Sequence, residues 1–248
     1  MNRLTEAVKH LLILNVLFFI ATSLYAEQMY QWFALWFPKN ENFQLWQIIT
    51  HMFMHGQGFM HIGFNMFALW MFGGPVEQYL GKNRFLFLYF SAGLGAVFFQ
   101  LGFYYFNFLP VFSELISSGL TGEQIVQMLI SNEAIVGLTE GQLTGLKEIY
   151  PIYNASMVGA SGCIMGVLAA FGVMNPDAKL MMIFLPIPIK AKYFIPGIIL
   201  LDVVSAVTGQ SFFSPNNTAY MAHVGGAIIG FVIMWYWKKN QFNQNRWN

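Results

Sequence analysis

Charge is what this chain has least of. Only 9% of its 248 residues are charged and 56% are hydrophobic, where a soluble domain carries about 25% and 45–50%. So few charges cannot wet the surface of a globule this size, which excludes a water-soluble fold and puts the chain in lipid; mean hydropathy is +0.52. Cysteine is nearly absent as well. The single Cys163 rules out an intramolecular disulfide, and its apolar neighbours make it a packing residue. A net charge of +1 gives no reason to expect nucleic acid as a partner. Internal repeats and low-complexity tracts are also missing. The few charges that remain matter through where they sit.

A transmembrane helix needs about 20 mostly apolar residues. Six stretches qualify or nearly so: 11–26, 59–80, 85–106, 157–174, 193–208 and 218–237. The first also resembles a secretory signal, with Arg3 and Lys9 ahead of an apolar run ending in small residues, but the later stretches read best as a unit of six spans. With the N-terminus inside, Arg3, Lys9, Lys82, Arg84, Lys179, Lys190, Lys192, Lys238, Lys239 and Arg246 share one side. Only Lys39 and Lys147 fall on the other, among Glu27, Glu41, Glu114, Glu123, Glu133, Glu140 and Glu148. Basic residues accumulate on the cytoplasmic side. The expectation is one all-α, multi-pass domain over 1–248 in the cell (inner) membrane, both termini cytoplasmic.

Two outer connections are long. Residues 27–58 carry Trp32, Trp36 and Trp46, whose amphipathic rings suit the headgroup region, so a structured outer loop is expected there. Residues 107–156 contain Ile125, Val126, Leu129 and Ile130 on one helical face. Glutamates on the other face predict a folded extramembrane insertion over the outer mouth.

Polar side chains inside a bilayer are unfavourable and usually face the bundle interior or a water-filled cavity. Three groups stand near the outer starts of separate spans. They are His61-Ile-Gly-Phe-Asn65, Gly159-Ala-Ser161-Gly162 and Ala222-His223-Val-Gly-Gly226. A serine hydroxyl needs a neighbouring base to become a nucleophile, and histidine, with an ordinary pKa of about 6.5, is suited to that task. Acyl transfer also needs donors aimed at the developing oxyanion. His61, Asn65 and the backbone N–H of Ser161 can supply them. No carboxylate has an obvious claim to orient His223, so the reading is a Ser-His dyad. Asp202, in the fifth span, is expected to pair with another polar group or a water.

The ordered set His61-x-x-x-Asn65, Gly159-x-Ser161-Gly162 and Ala222-His223-x-x-Gly226-x-x-x-Gly230 resembles the rhomboid intramembrane serine proteases of bacterial type, with a six-helix core. Met52-Phe-Met-His55-Gly56, and Glu77-x-x-Leu80-Gly81 followed by Arg84-Phe85, also look like that family. The resemblance implies a six-transmembrane-helix bundle with Ser161 as nucleophile, His223 as general base, and His61 and Asn65 as oxyanion side chains. It implies helix packing through Gly159, Gly162, Gly226 and Gly230, and an active site opening to the extracytoplasmic side. Transmembrane proteins in the bilayer would be the substrates, cleaved without metal or cofactor, with lateral access beside the fifth span. The chain departs from the family at Met165, where an aromatic usually stacks on the base. It also departs in the spacing of His55 and His61, in lacking a clear Trp-Arg pair, and in the long insertion.

Three other readings compete. His51, His55 and His61 are spaced for metal ligation, but no His-Glu-x-x-His motif accompanies them. A relative that binds membrane helices without cutting would be expected to lack the serine or the histidine. A transporter would be expected to show an inverted repeat.

Overall fold

A computed structural model describes residues 4–56, 58–182, 185–211 and 219–244. Arg3 and Arg246 of the basic set, and Thr218 at the head of the sixth predicted span, lie outside them. Among the described residues the helices run α1 (Glu6–Leu24), α2 (Ala26–Phe33), α3 (Gln47–Thr50), α4 (Phe59–Leu80) and α5 (Lys82–Ser117). They continue as α6 (Gly122–Ser131), α7 (Glu140–Tyr153), α8 (Ser161–Met174), α9 (Ala191–Thr208) and α10 (Tyr220–Gln244). Short antiparallel pairs join β1 (Leu35–Trp36) to β2 (Ser156–Met157) and β3 (Lys179–Met182) to β4 (Leu185–Lys190).

Helices α1, α5 and α9, and residues Tyr220–Asn240 of α10, are long and apolar enough to cross a membrane. Helix α4 has the length, at 22 residues, but carries His61, Asn65 and Glu77. Helix α8 has only 14. At about 1.5 Å per residue it spans about 21 Å, short of a hydrocarbon core about 30 Å thick. Yet α8 is the centre of the molecule. Its residues from Gly162 to Ala170 are all buried, as a helix apolar on every side requires. Around it the core takes Leu69, Phe72 and Val76 from α4, Phe85, Leu88 and Tyr89 from α5, and Ala227 and Met234 from α10.

Glycine and alanine set the approach of α5, α8 and α10. A Cβ at Gly226 would run into the Gly162 carbonyl oxygen, and one at Gly230 into that of Gly166. Gly162 and Gly166 in turn face Ala96 and Ala92 of α5. Hydrocarbon offers no hydrophobic drive between helices, so close backbone packing through small residues holds them together.

Helix ends without water need protein partners. The carboxylate of buried Glu77, near the end of α4, accepts from Ala7 N–H (2.8 Å) and Val8 N–H (2.9 Å) in the first turn of α1. Gln100 Oε1 accepts from Ala222 N–H in the first turn of α10. Lys238 Nζ donates to the Val173 carbonyl at the end of α8, 2.7 Å, where a cation complements the dipole.

One side chain makes four hydrogen bonds across the connection between α2 and α4. Buried Gln47 accepts from Gln44 and Trp36 N–H and donates to the Gln31 and Asn42 carbonyls. Trp32 and Trp46 remain exposed.

Helix α5 does not stop near residue 106 as the hydropathy suggests. It runs unbroken to Ser117, 36 residues in all, and its last turns become the floor of the insertion. Phe108 and Leu115 form a second core with Ile125, Met128 and Leu129 of α6 and Leu146, Ile149 and Tyr153 of α7. Both short helices open with a capping box, Thr121 with Gln124 and Thr139 with Gln142. The buried stripe of α6 is Ile125, Met128 and Leu129, while Ile130 is exposed. The expected face was therefore rotated, because the α5 floor meets the i, i+3, i+4 row that contains the methionine.

Candidate active site

Three predicted residues fall in the first turns of three helices. Ser161 is the first residue of α8, His61 the third of α4 and His223 the fourth of α10. All three are partly exposed. Each of the three side chains therefore sits at the positive end of a helix dipole, which favours negative charge nearby.

The turn before α8 brings Ser161 and His61 together. Gly159 has φ +129°, the left-handed region that favours glycine, and its N–H donates to the His51 carbonyl at 3.0 Å. A Cβ at this position would sit 3.2 Å from His61 Nε2 and 3.5 Å from Ser161 Oγ. Gly159 is thus a turn glycine that makes room for the imidazole, not the helix-contact residue expected. The helix contacts are made by Gly162, Gly226 and Gly230. The predicted fourth span began too early for the same reason: Ser156 and Met157 pair with β1, and the helix starts only at Ser161.

The tautomer of His61 follows from a backbone group. Gly56 N–H can only donate, and it donates to His61 Nδ1 at 3.3 Å. The ring proton of a neutral His61 is therefore on Nε2, the atom beside Ser161. His55 stacks edge-on against His61 with centroids 5.2 Å apart. Asn65, one turn along α4, donates from its amide to the His61 carbonyl, 3.0 Å. That uses one of its two N–H bonds.

Opposite stands His223, within electrostatic reach of His61. Its Nδ1 lies 3.0 Å from Oδ2 of Asp202 on α9. Asp202 thus pairs with another polar group, as expected, and that group is His223, beside which the sequence showed no obvious carboxylate. The two residues are 21 apart in sequence, on separate helices, and only the packing of α9 on α10 makes the pair visible. Among the described residues no hydrogen bond joins Ser161 Oγ to His223. Catalytic hydrogen bonds are often long before substrate binds.

Two further histidines, His51 and His55, are buried in the connection before α4. His51 Nδ1 donates to the Gln47 carbonyl, 2.7 Å, and His55 has both ring nitrogens buried without a hydrogen-bond partner. Burial pushes each imidazole down to about 4. Among the described residues no three His, Cys, Asp or Glu side chains gather as a metal site would require.

An all-α membrane bundle with serine, histidine and amide side chains meeting at helix N-termini is the class of molecule these features define. The chain belongs to the rhomboid family: the Rhomboid domain matches residues 42–240. It is 28% identical over 193 residues to Rhomboid protein 1, mitochondrial, of Saccharomyces cerevisiae, covering 77% of this chain and 42% of that protein. The presenilin-associated rhomboid-like protein, mitochondrial, of Bos taurus is 28% identical over 177 residues, covering 71% and 33%. Rhomboid protease AarA of Providencia stuartii is 27% identical over 197 residues, covering 76% and 54%. The chain thus spans about a third to a half of these relatives' length.

The expectation of a cell inner membrane is overturned by these relatives. Several are named mitochondrial, which does not fit an assignment to a bacterial cell membrane. The physical reason is plain: composition shows that a chain lives in lipid, and basic residues show which way it faces, but neither carries an address.

Proposed function

We propose that the chain is an intramembrane serine endopeptidase that cleaves transmembrane segments of other membrane proteins. Helices α1, α4, α5, α8, α9 and α10 form its membrane bundle, and α6 and α7 lie outside the membrane beside the mouth of the site. The observation that carries this reading is the placement of Ser161, His61 and His223 in the first turns of α8, α4 and α10, with Ser161 and His61 both beside Gly159. The kinship with a named rhomboid protease supports it.

In the proposed reaction His223 Nε2 takes the Ser161 proton as Oγ attacks the scissile carbonyl. The carbonyl π pair moves onto oxygen, and the oxyanion is met by His61 Nε2–H, the Asn65 amide and the Ser161 N–H. One well-placed oxyanion donor contributes about 10²–10³ in rate. The protonated His223 then gives its proton to the leaving amine, and water hydrolyses the acyl-enzyme by the same steps. A helical substrate hides its carbonyls in hydrogen bonds, so the segment to be cut must unwind to reach Ser161.

The test is cleavage of a reporter transmembrane protein in liposomes by wild type, Ser161→Ala and His223→Ala. Cleavage lost in both folded variants supports the assignment. Undiminished cleavage by either sinks it.

A further inference from the structure

We propose that Asp202 is a positioning residue for His223, so that the catalytic unit is complete only while α9 lies against α10. The proposal rests on the reading of His223 as base and goes beyond it.

Helix α9 is the least embedded of the apolar helices. Only 22% of its apolar window is buried, against 50% in α5 and 44% in α10. Its buried residues are Ala191, Ile195, Asp202 and Ser205, so half of its few inward positions are polar. A carboxylate 1% exposed in such a helix is strongly disfavoured unless it is paired. One of its oxygens lies 3.0 Å from His223 Nδ1.

The chemistry of that contact is specific. A carboxylate only accepts, so Nδ1 carries the proton of the neutral ring and Nε2 keeps its lone pair. Nε2 is the nitrogen a base needs toward Ser161. When it takes up the serine proton, the carboxylate stabilises the imidazolium that results. This division of labour is that of a serine-histidine-aspartate triad, here with its third member on the helix least held by the rest of the fold.

A purely structural role is the competing explanation, since an Asp-His contact also ties α9 to α10. Two measurements separate them. The first is kinetic, on full-length protein in liposomes with the reporter substrate. Asp202→Asn keeps the shape but offers Nδ1 an N–H donor, which favours the tautomer with its proton on Nε2. The expected result is a loss of about 10²-fold or more in kcat, with KM and the thermal midpoint near wild type. Asp202→Glu should recover part of that loss. Fluorophosphonate labelling of Ser161 should slow in parallel, which gives the same comparison without the reporter.

The second needs no variant at position 202. The ¹⁵N shifts of the His223 ring in wild type, assigned by their loss in His223→Ala, should show a protonated Nδ1. A kcat unchanged in Asp202→Asn, or one that tracks the thermal midpoint alone, overturns the proposal, as does a proton found on Nε2. If His223→Ala is inactive while Asp202→Asn matches wild type, the dyad stands and only the role of Asp202 is lost. If His223→Ala keeps full activity, the reading beneath both is wrong.

Discussion

Two histidines in the first turns of two helices are held by opposite kinds of neighbour. His61 Nδ1 accepts a hydrogen bond from the Gly56 backbone N–H, and His223 Nδ1 lies 3.0 Å from the Asp202 carboxylate. On the proposed reading one imidazole is left with a donor at Nε2, the other with an acceptor. In the proposed reaction the same residue type serves as an oxyanion donor on α4 and as a base on α10. The difference lies in whether a backbone N–H or a carboxylate waits behind the ring. The supports differ in rigidity as well. The connection behind His61 is held by the four hydrogen bonds of Gln47, whereas Asp202 rides on the sparsely embedded α9.

That contrast can be broken in graded steps. Removing the base altogether should be worst: His223→Ala is expected to lower kcat by at least about 10³-fold, as losing one member of a serine-histidine unit does elsewhere. Reporter turnover measured beside a circular dichroism check of folding decides it. Gly226→Val should come next, through assembly instead of chemistry. Its side chain would meet the Gly162 carbonyl, so α10 must move off α8. Both the thermal midpoint and labelling of Ser161 should drop, and a variant that melts like wild type would contradict the packing described.

Loss of the donor should be milder. His61→Ala is expected to reduce kcat by about 10²–10³-fold with little change in KM. Asn65→Ala should fall short of that, since part of its amide is already spent on the His61 carbonyl. Equal effects of both substitutions would argue against His61 as the principal donor.

The smallest effect concerns stability. His51 and His55 have their protonation pushed down to about 4 by burial, against about 6.5 in an unfolded chain. Between those values the unfolded state binds more protons than the folded state, so stability is full above pH 6.5 and declines as pH falls toward 4. A thermal midpoint that drops over this window, and drops less steeply in His55→Phe, is the expected outcome. A midpoint flat from pH 7 to 4 would refute it.

Much of this was legible before any coordinates. Ser161, His223 and the Gly226/Gly230 contact stand in short local patterns, Gly-x-Ser-Gly and His-x-x-Gly-x-x-x-Gly, and helical spacing puts His61 and Asn65 on one face. What escaped was set by distance along the chain or by tertiary packing. Asp202 has no local pattern linking it to His223. The α5 helix reads through residue 106 because the insertion supplies an apolar partner for Phe108 and Leu115 that hydropathy cannot anticipate. Gly159 looks like one more small residue in a helix-contact motif, and only its backbone angle shows it to be a turn.

The brevity of α8 has a consequence for what the proposed enzyme can read. A helix of 14 residues leaves about 9 Å of an ordinary hydrocarbon core unspanned, and Ser161 marks where it begins. The nucleophile is then a fixed depth mark. A substrate helix presents whichever peptide bond its own anchoring residues hold at that level, and sliding it by a turn would present another. Choice of bond becomes partly a matter of altitude, with the two membrane interfaces serving as the ruler.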